Sequence, residues 1–170
     1  MIKKLQALRA KKGFTLVELI VVIAIIGVLA AILIPTLSGV IESARKRSAE
    51  STCQSLQNLA KTFASTVMSK TGNLCDASSK VDMDDGNGPQ TMSAYILAQV
   101  PEIDGSADKG ATIVITSGNV TSVTYTEGAF TALWDSTNGM QGATKTGDSS
   151  AHSGAGKMGT VTVTVTEFPS

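Results

Sequence analysis

An unbroken apolar run near the N-terminus constrains this chain more than any other feature of its 170 residues. Sixteen consecutive residues, Leu19–Ile34, are uncharged and apolar. Apolar residues flank the run at Phe14, Leu16, Val17 and Leu37, so the stretch approaches the ~20 residues that a helix needs to span a bilayer. No other segment of the same chain provides an apolar partner for such a helix. We therefore expect it to lie in lipid or against copies of itself.

The residues before this run are strongly basic. Positions 1–13 hold five basic residues and no acid: Lys3, Lys4, Arg9, Lys11 and Lys12. Because lysine and arginine are retained on the cytoplasmic side of a membrane, we expect Met1–Gly13 in the cytoplasm and everything after Thr36 outside. The sequence therefore predicts a chain that crosses a membrane once, with its N-terminus in the cytoplasm.

One acid lies inside the apolar block, at Glu18. A charge costs roughly 2.5–3.5 kcal/mol at mid-membrane and less near the edge, so an acid kept there is a candidate functional residue. Two ordinary explanations of this N-terminus are a secretory signal peptide cleaved after Ala30 and a plain signal anchor. Neither explains why Gly13, Phe14 and Glu18 occur together.

The segment KKGFTLVELIVVIAIIGVLAAILIP, Lys11 to Pro35, closely resembles the class III signal of type IV pilins and pseudopilins. The pattern of that family is a short basic leader ending in Gly, then Phe, then Thr-Leu-[Ile/Val]-Glu and a long apolar run. The resemblance implies that a membrane-embedded prepilin peptidase cuts between Gly13 and Phe14 and methylates the new amino group. It also implies that inner-membrane pilus assembly machinery polymerises the chain with copies of itself.

Cleavage within this motif creates a positive charge that can pair with Glu18. Cleavage after Gly13 gives Phe14 an α-amino group, which is mostly protonated at neutral pH because its reference pKa is ~7.7–8.0. In hydrocarbon, this cation and the carboxylate of Glu18 are each costly alone and tolerable as a pair. We expect the amino group of one subunit to pair with Glu18 of a neighbour, which rewards the correct register. The leader must be removed first, since the amino group does not exist before cleavage.

The same helix is predicted to continue beyond the membrane. Ile41–Val67 contains neither Pro nor Gly, and its apolar and small residues recur at helical spacing. The result is one helix of roughly 50–55 residues, or ~80 Å at 1.5 Å per residue. Gly27 and Pro35 weaken it. They predict either a simple kink or, as the family resemblance supports, a segment that loses helical structure in the assembled fibre.

Strand patterns follow in the C-terminal part of the chain. Ala111–Thr116 and Val120–Thr126 flank Ser117-Gly118-Asn119, which predicts a hairpin. Further strands are expected at Phe130–Trp134 and at Thr160–Thr166, where valines and threonines alternate. Together with the helix these segments predict an α+β fold, in which one long N-terminal α-helix packs against a small antiparallel sheet of about 3–4 strands.

Between these segments we expect a short helix at Pro89–Gln99 and a long surface loop at Asp135–Gly159. The predicted organisation has three parts. Residues 1–13 are a basic leader peptide, residues 14–40 are the transmembrane or fibre-core half of the helix, and residues 41–170 are an extracellular globular domain that includes the amphipathic half.

Cys53 and Cys75 are the two cysteines of the chain. Both would lie outside the membrane, where thiols usually oxidise, and we expect them to form a disulfide. The bond requires the long helix to end at or before Met68, whereas Gly72 resembles a C-cap and favours a longer helix.

Metal and cofactor chemistry receives little support. One histidine and two cysteines exclude a zinc site built from Cys and His clusters. Asp82, Asp84 and Asp85 form a weak candidate cation site, but their spacing is more typical of a solvated turn. No cofactor is expected.

Composition also bears on partners. Removal of residues 1–13 leaves 14 − 5 = 9 basic residues against 14 acidic ones, a net charge of −5. That charge disfavours binding to nucleic acid. The basic patch Arg45–Arg47 is better suited to lipid headgroups or to acids on neighbouring subunits. A DNA-capturing role for the patch stays open.

The sequence thus predicts a structural subunit of a type IV pilus-like filament, not an enzyme. It would be inserted in the membrane before assembly and extracellular afterwards. The alternatives are a pseudopilin of a type II secretion or DNA-uptake machine and, in another class, a monomeric membrane-anchored or secreted binding protein.

Overall fold

The structure, a computed structural model, describes residues 14–103, 109–148 and 161–166. The chain divides into two compact units, Met1–Glu42 and Ser43–Ser170. The predicted long helix is present as α1 (Leu16–Thr71), 56 residues in length. Its last turn is closed by Gly72, whose N–H donates to the carbonyl of Met68 at 2.9 Å with a φ of +73°, the left-handed conformation that glycine favours at this position.

The elements after α1 are short. Two strands, β1 (Lys80–Asp82) and β2 (Pro89–Thr91), form an antiparallel pair. Helix α2 (Met92–Gln99) follows, capped by the hydroxyl of Thr91, and leads into a single 3₁₀ turn, Pro101–Ile103. The short helix is therefore shorter than predicted, because Pro89–Thr91 is paired as a strand instead.

A five-stranded sheet makes up the rest of the described chain. Its strands are β3 (Lys109–Thr116), β4 (Asn119–Glu127), β5 (Phe130–Asp135), β6 (Gly139–Lys145) and β7 (Val161–Thr166). Their spatial order is β6-β5-β4-β3-β7. The predicted α+β class, with one long helix on a sheet, is confirmed.

The sheet differs from the prediction in direction and size. β3, β4, β5 and β6 are antiparallel neighbours, but β7 pairs with β3 in parallel, with Ala111 opposite Val161 and Thr116 opposite Thr166. The sheet is mixed rather than antiparallel. Alternation of valine and threonine fixes which face of β7 is apolar, but it carries no information about the direction of the neighbouring strand.

Strand β6 was not predicted, because the sequence assigned Asp135–Gly159 to a surface loop. Gly139–Lys145 (GMQGATK) lacks apolar alternation, and Gly139 and Gly142 both have positive φ. Tertiary contacts hold this strand: it pairs with β5, and the N–H of Ala143 donates to Glu50 Oε1 of α1 at 2.8 Å.

The core lies between α1 and the five-stranded sheet. The buried residues of α1 recur every three or four positions, as expected for one face of a helix; they are Ala49, Cys53, Leu56, Ala60, Phe63, Ala64 and Val67. The sheet contributes buried residues from alternate strand positions; they include Ala111, Ile113, Ile115, Val123, Tyr125, Ala132 and Trp134. Lys61 Nζ lies 4.3 Å from the centre of the Trp134 ring, a cation–π contact at the edge of this core.

The predicted hairpin is confirmed, with Ser117 and Gly118 between β3 and β4 at φ +52° and +77°. The segment after α1 packs against this turn. A Cβ at Gly118 would lie 2.7 Å from Leu74 Cδ2 and 2.9 Å from Leu74 Cβ. Both the positive φ and the close approach require glycine here.

The predicted disulfide is wrong for this structure: Cys53 and Cys75 are both free and buried. The condition on which it depended is not met, since α1 runs to Thr71 and not to Met68 or earlier. Gly72 predicted the end of α1 correctly, whereas the earlier end that a disulfide requires was wrong.

Candidate functional site

The first turn of α1 holds the carboxylate of Glu18 in a fixed position. Thr15 donates twice to Glu18 Oε2, from its N–H at 2.9 Å and from its hydroxyl at 2.8 Å. The N–H of Glu18 donates in return to Thr15 Oγ1 at 3.2 Å. These reciprocal bonds form a capping box, which satisfies N–H groups that a helix start leaves unpaired.

The contact between Thr15 and Glu18 was not predicted from the sequence. The signal was present, because Thr15 and Glu18 have the T-x-x-E spacing of a capping box before an apolar run. Phe14 lies immediately before this cap and is 84% exposed. Gly13 lies outside the described residues, and the cleavage and methylation assigned to Gly13 and Phe14 stay predictions.

The apolar segment after the cap is exposed over its whole length. All the large apolar side chains from Phe14 to Ile41 are between 45 and 84% exposed. In the described part of the chain, α1 is the one helix long and apolar enough to cross a membrane. This surface requires lipid or another protein as its partner, because apolar area on this scale is not left in contact with water.

Gly27 and Pro35 both lie inside α1, which is helical through each of them. A Cβ at Gly27 would have no neighbour within 4 Å. Around Pro35, the hydroxyl of Thr36 donates to the carbonyl of Leu33 at 2.9 Å, and that of Ser38 donates to the carbonyl of Pro35 at 2.8 Å. Both hydroxyls thus bond to carbonyls of the helix one turn back, as serine and threonine side chains do inside helices. Loss of helical structure between Gly27 and Pro35 in a fibre stays a prediction.

The three aspartates of the weak candidate cation site are engaged by the protein itself. Lys70 Nζ lies 2.6 Å from Asp84 Oδ2 and 2.7 Å from the carbonyl oxygen of Asp82. Asp85 accepts from the N–H of Asn87 and from the Gln90 amide, and these bonds lower the pKa of its carboxyl. Within residues 14–103, 109–148 and 161–166, no group of three or more His, Cys, Asp or Glu side chains is arranged to hold a metal ion. The carboxylates of Asp82 and Asp85 accept backbone N–H groups of their own turn, and that of Asp84 pairs with Lys70.

The basic patch Arg45–Arg47 lies on α1 beyond the apolar segment. Arg45 and Arg47 are exposed, while Lys46 is half-buried. The guanidinium groups of the two arginines are therefore available to a partner.

Comparison with known proteins adds three findings. A sequence profile described as the prokaryotic N-terminal methylation motif matches residues 8–34. The type II secretion system core protein G of Escherichia coli (strain K12) is 46% identical over 54 residues, which is 32% of this chain and 37% of that protein. The fimbrial protein of Pseudomonas aeruginosa is 31% identical over 127 residues, which is 66% of this chain and 82% of that protein. No solved structure matches the chain significantly.

Proposed function

The chain belongs to the family of type IV pilins and pseudopilins, and on that basis we propose that it is the repeating structural subunit of a type IV pilus-like filament and not an enzyme. One observation supports this proposal most strongly. A helix with a carboxylate fixed in its first turn by Thr15 presents an apolar surface that is exposed on every face from Phe14 to Ile41. That surface fits a bilayer before assembly and neighbouring copies after it.

In this proposal the chain is made as a precursor in the inner membrane, with residues 1–13 in the cytoplasm. Prepilin peptidase cuts between Gly13 and Phe14 and methylates the new amino group, which keeps its positive charge. Pilus assembly machinery in the inner membrane then extracts the subunit into an extracellular filament.

The carboxylate of Glu18 directs the assembly step. In the single subunit it accepts two hydrogen bonds from Thr15, which lowers the cost of holding it among apolar side chains. A carboxylate has about four lone-pair sites, so it can accept a further bond from an ammonium group. The methylated amino group of Phe14 from the neighbouring subunit provides that bond and neutralises the charge. A subunit placed in the wrong register leaves both charges unpaired in an apolar medium.

Sheared surface material from cells that express the chain tests this function directly. We expect electron microscopy to show filaments, and mass spectrometry of those filaments to find a chain that begins at methylated Phe14. A matched preparation from a strain lacking the gene is the control. Surface material without filaments, or a mature chain that begins at Ala31, would contradict the proposal.

A second candidate within the family is a pseudopilin of a type II secretion machine. The 46% identity to a type II secretion system core protein favours it, although that match spans 37% of the relative's length. Deletion of the gene separates the two candidates. Loss of surface filaments with normal protein secretion supports the pilus subunit, whereas loss of secretion without a change in surface filaments supports the pseudopilin. A DNA-uptake pseudopilin would instead show as lost transformation.

A further inference from the structure

The two cysteines lie on opposite sides of the end of α1, and the fold buries both. Cys53 is 0% exposed and its thiol donates to the carbonyl of Val123 at 3.4 Å, inside the core between α1 and the sheet. Cys75 is 1% exposed and lies in the segment after α1, with Sγ 3.8 Å from the carbonyl oxygen of Asp76. Neither thiol is accessible to a reagent in the folded chain.

The helix between them keeps the two cysteines apart. From Cys53 to Thr71 the chain advances 71 − 53 = 18 helical residues, about 27 Å at 1.5 Å per residue. The four residues from Thr71 to Cys75 reach back at most about 14 Å when fully extended. The two Cα atoms are therefore at least about 13 Å apart by these limits, whereas a disulfide requires a separation below about 7 Å.

We propose that Cys53 and Cys75 make folding of this chain sensitive to the order of folding and oxidation. A chain that forms the Cys53–Cys75 disulfide before α1 is complete can build the helix only to about Met68, so it cannot complete the last residues of α1 as the folded chain does. A chain that folds first keeps two unreactive thiols. This inference follows from the helix and the two positions, and it does not rest on the proposed function.

The chemistry in the unfolded chain is ordinary thiol–disulfide exchange. One cysteine thiolate attacks oxidised glutathione and releases one reduced glutathione as a mixed disulfide forms. The second thiolate attacks the protein sulfur of that mixed disulfide and releases the second reduced glutathione. Two protein thiols are oxidised and one glutathione disulfide is reduced. In the unfolded chain the two cysteines are 22 positions apart (75 − 53), and a flexible loop of that length closes readily.

Two effects of burial slow the same reaction in the folded chain. Burial keeps the oxidant from both sulfurs, and it also raises the pKa of Cys53 to about 12 and that of Cys75 to about 11. Since the thiolate is the attacking species, the reaction at neutral pH depends on opening of the fold. We expect the native thiols to react at least about a hundredfold more slowly than those of the unfolded chain, because opening of a core element costs several kcal/mol.

The order of addition tests the proposal with one chain and one reagent. The full-length chain in detergent is exposed to oxidised glutathione either before or after dilution from denaturant. Intact-mass measurement first separates the bonded chain from the reduced chain by two hydrogen masses. Hydrogen exchange of each product, measured on its peptides, then locates the protected residues. Addition of reductant to the bonded product is the matched control.

We expect oxidation first to give a bonded chain with fast exchange at the end of α1, from Met68 to Thr71, and reductant to restore slow exchange there. Oxidation after folding should leave two free thiols. A bonded chain that protects Met68 to Thr71 as well as the reduced chain does would overturn the proposal, and so would native thiols that react as fast as unfolded ones.

Discussion

Helix α1 carries two apolar stretches that meet opposite surroundings. In Leu16–Ile41 the large apolar side chains are 45 to 73% exposed, whereas in Ala49–Val67 the residues that face the sheet are at most 7% exposed. The first stretch is apolar on every face, so one sheet could not cover it. The second is apolar along one face only, and that face fits the sheet of the same chain. One continuous helix is thus built for two kinds of association, one within the chain and one outside it.

The same substitution made in both stretches tests this comparison. Leu56→Ala removes a side chain that is 0% exposed, and Leu29→Ala removes one that is 53% exposed. We expect Leu56→Ala to lower the free energy of unfolding by ~2–5 kcal/mol because it leaves a cavity, and Leu29→Ala to lower it by less than ~0.5 kcal/mol. Denaturant titration of the full chain in detergent, followed by Trp134 fluorescence, measures both. Equal losses would mean that the two stretches are not distinct.

Glu18→Val tests whether the exposed stretch of α1 associates with other subunits through a charge pair. We expect insertion into the membrane to be unchanged or improved, because a charge is removed from the apolar segment. Filament yield should fall at least about tenfold, which corresponds to ~1.4 kcal/mol, because the amino group of Phe14 loses its partner. Quantitative immunoblotting of sheared and membrane fractions measures both quantities.

Thr15→Val is the matched control for this substitution. It removes the hydroxyl that binds Glu18 but keeps the carboxylate and the N–H of residue 15. A smaller loss of filaments is expected than for Glu18→Val. Normal filaments in normal amounts from Glu18→Val cells would contradict the pairing between subunits.

Glu50→Ala tests how the buried stretch holds the edge of the sheet. Loss of the charged acceptor leaves the N–H of Ala143 without its bond to Glu50, and we expect ~1.5–3 kcal/mol of destabilisation. The effect should be local, with faster hydrogen exchange at Ala143 and little change in α1. Glu50→Gln, which keeps an acceptor oxygen, should recover part of the loss. Unchanged exchange at Ala143 in Glu50→Ala would show that β5 alone holds β6.

The smallest expected effect concerns Asp135, at the end of β5. The N–H of Asn138 donates to its carboxylate at 2.6 Å, and this bond, followed by the Asn138 side chain, lowers the pKa of Asp135. A lowered pKa gives stability that is present above the unfolded value of ~3.9 and is lost as the pH falls through the folded value. We expect Asp135→Asn to show a shallower loss of stability below about pH 4 than the unsubstituted chain. Superimposable curves of unfolding midpoint against pH would contradict this.

Local signals in the sequence predicted the parts of the fold that local interactions determine. Ser117-Gly118-Asn119 predicted the hairpin because Gly118 has a positive φ, which glycine adopts at little cost in a tight turn. Gly72 marked the end of α1, although the expectation of a disulfide favoured an earlier end. The T-x-x-E spacing of Thr15 and Glu18 contained the signal for the capping-box bonds that the structure shows.

Other features depend on contacts that the local sequence does not contain. β6 is held by Glu50 and β5 rather than by its own composition. The parallel placement of β7 beside β3 depends on which sheet edge is available, and alternation does not encode that. The bonds of Lys70 to Asp82 and Asp84 likewise required the structure, because they join residues that are 12 and 14 positions apart.

The contacts that cover the buried face of α1 come from far along the chain, and this sets the order in which the molecule can fold. Cys53 lies against carbonyls of Val123 and Ala132, which are 70 and 79 positions further on, and the partner of Glu50 is 93 positions away. Contacts between residues so far apart in the sequence form more slowly than the local contacts of a helical bundle. In a chain that is made or exported from its N-terminus, Cys53 and Glu50 lack these partners until Val123, Ala132 and Ala143 have emerged. That interval is when the chain is most open to proteolysis and aggregation.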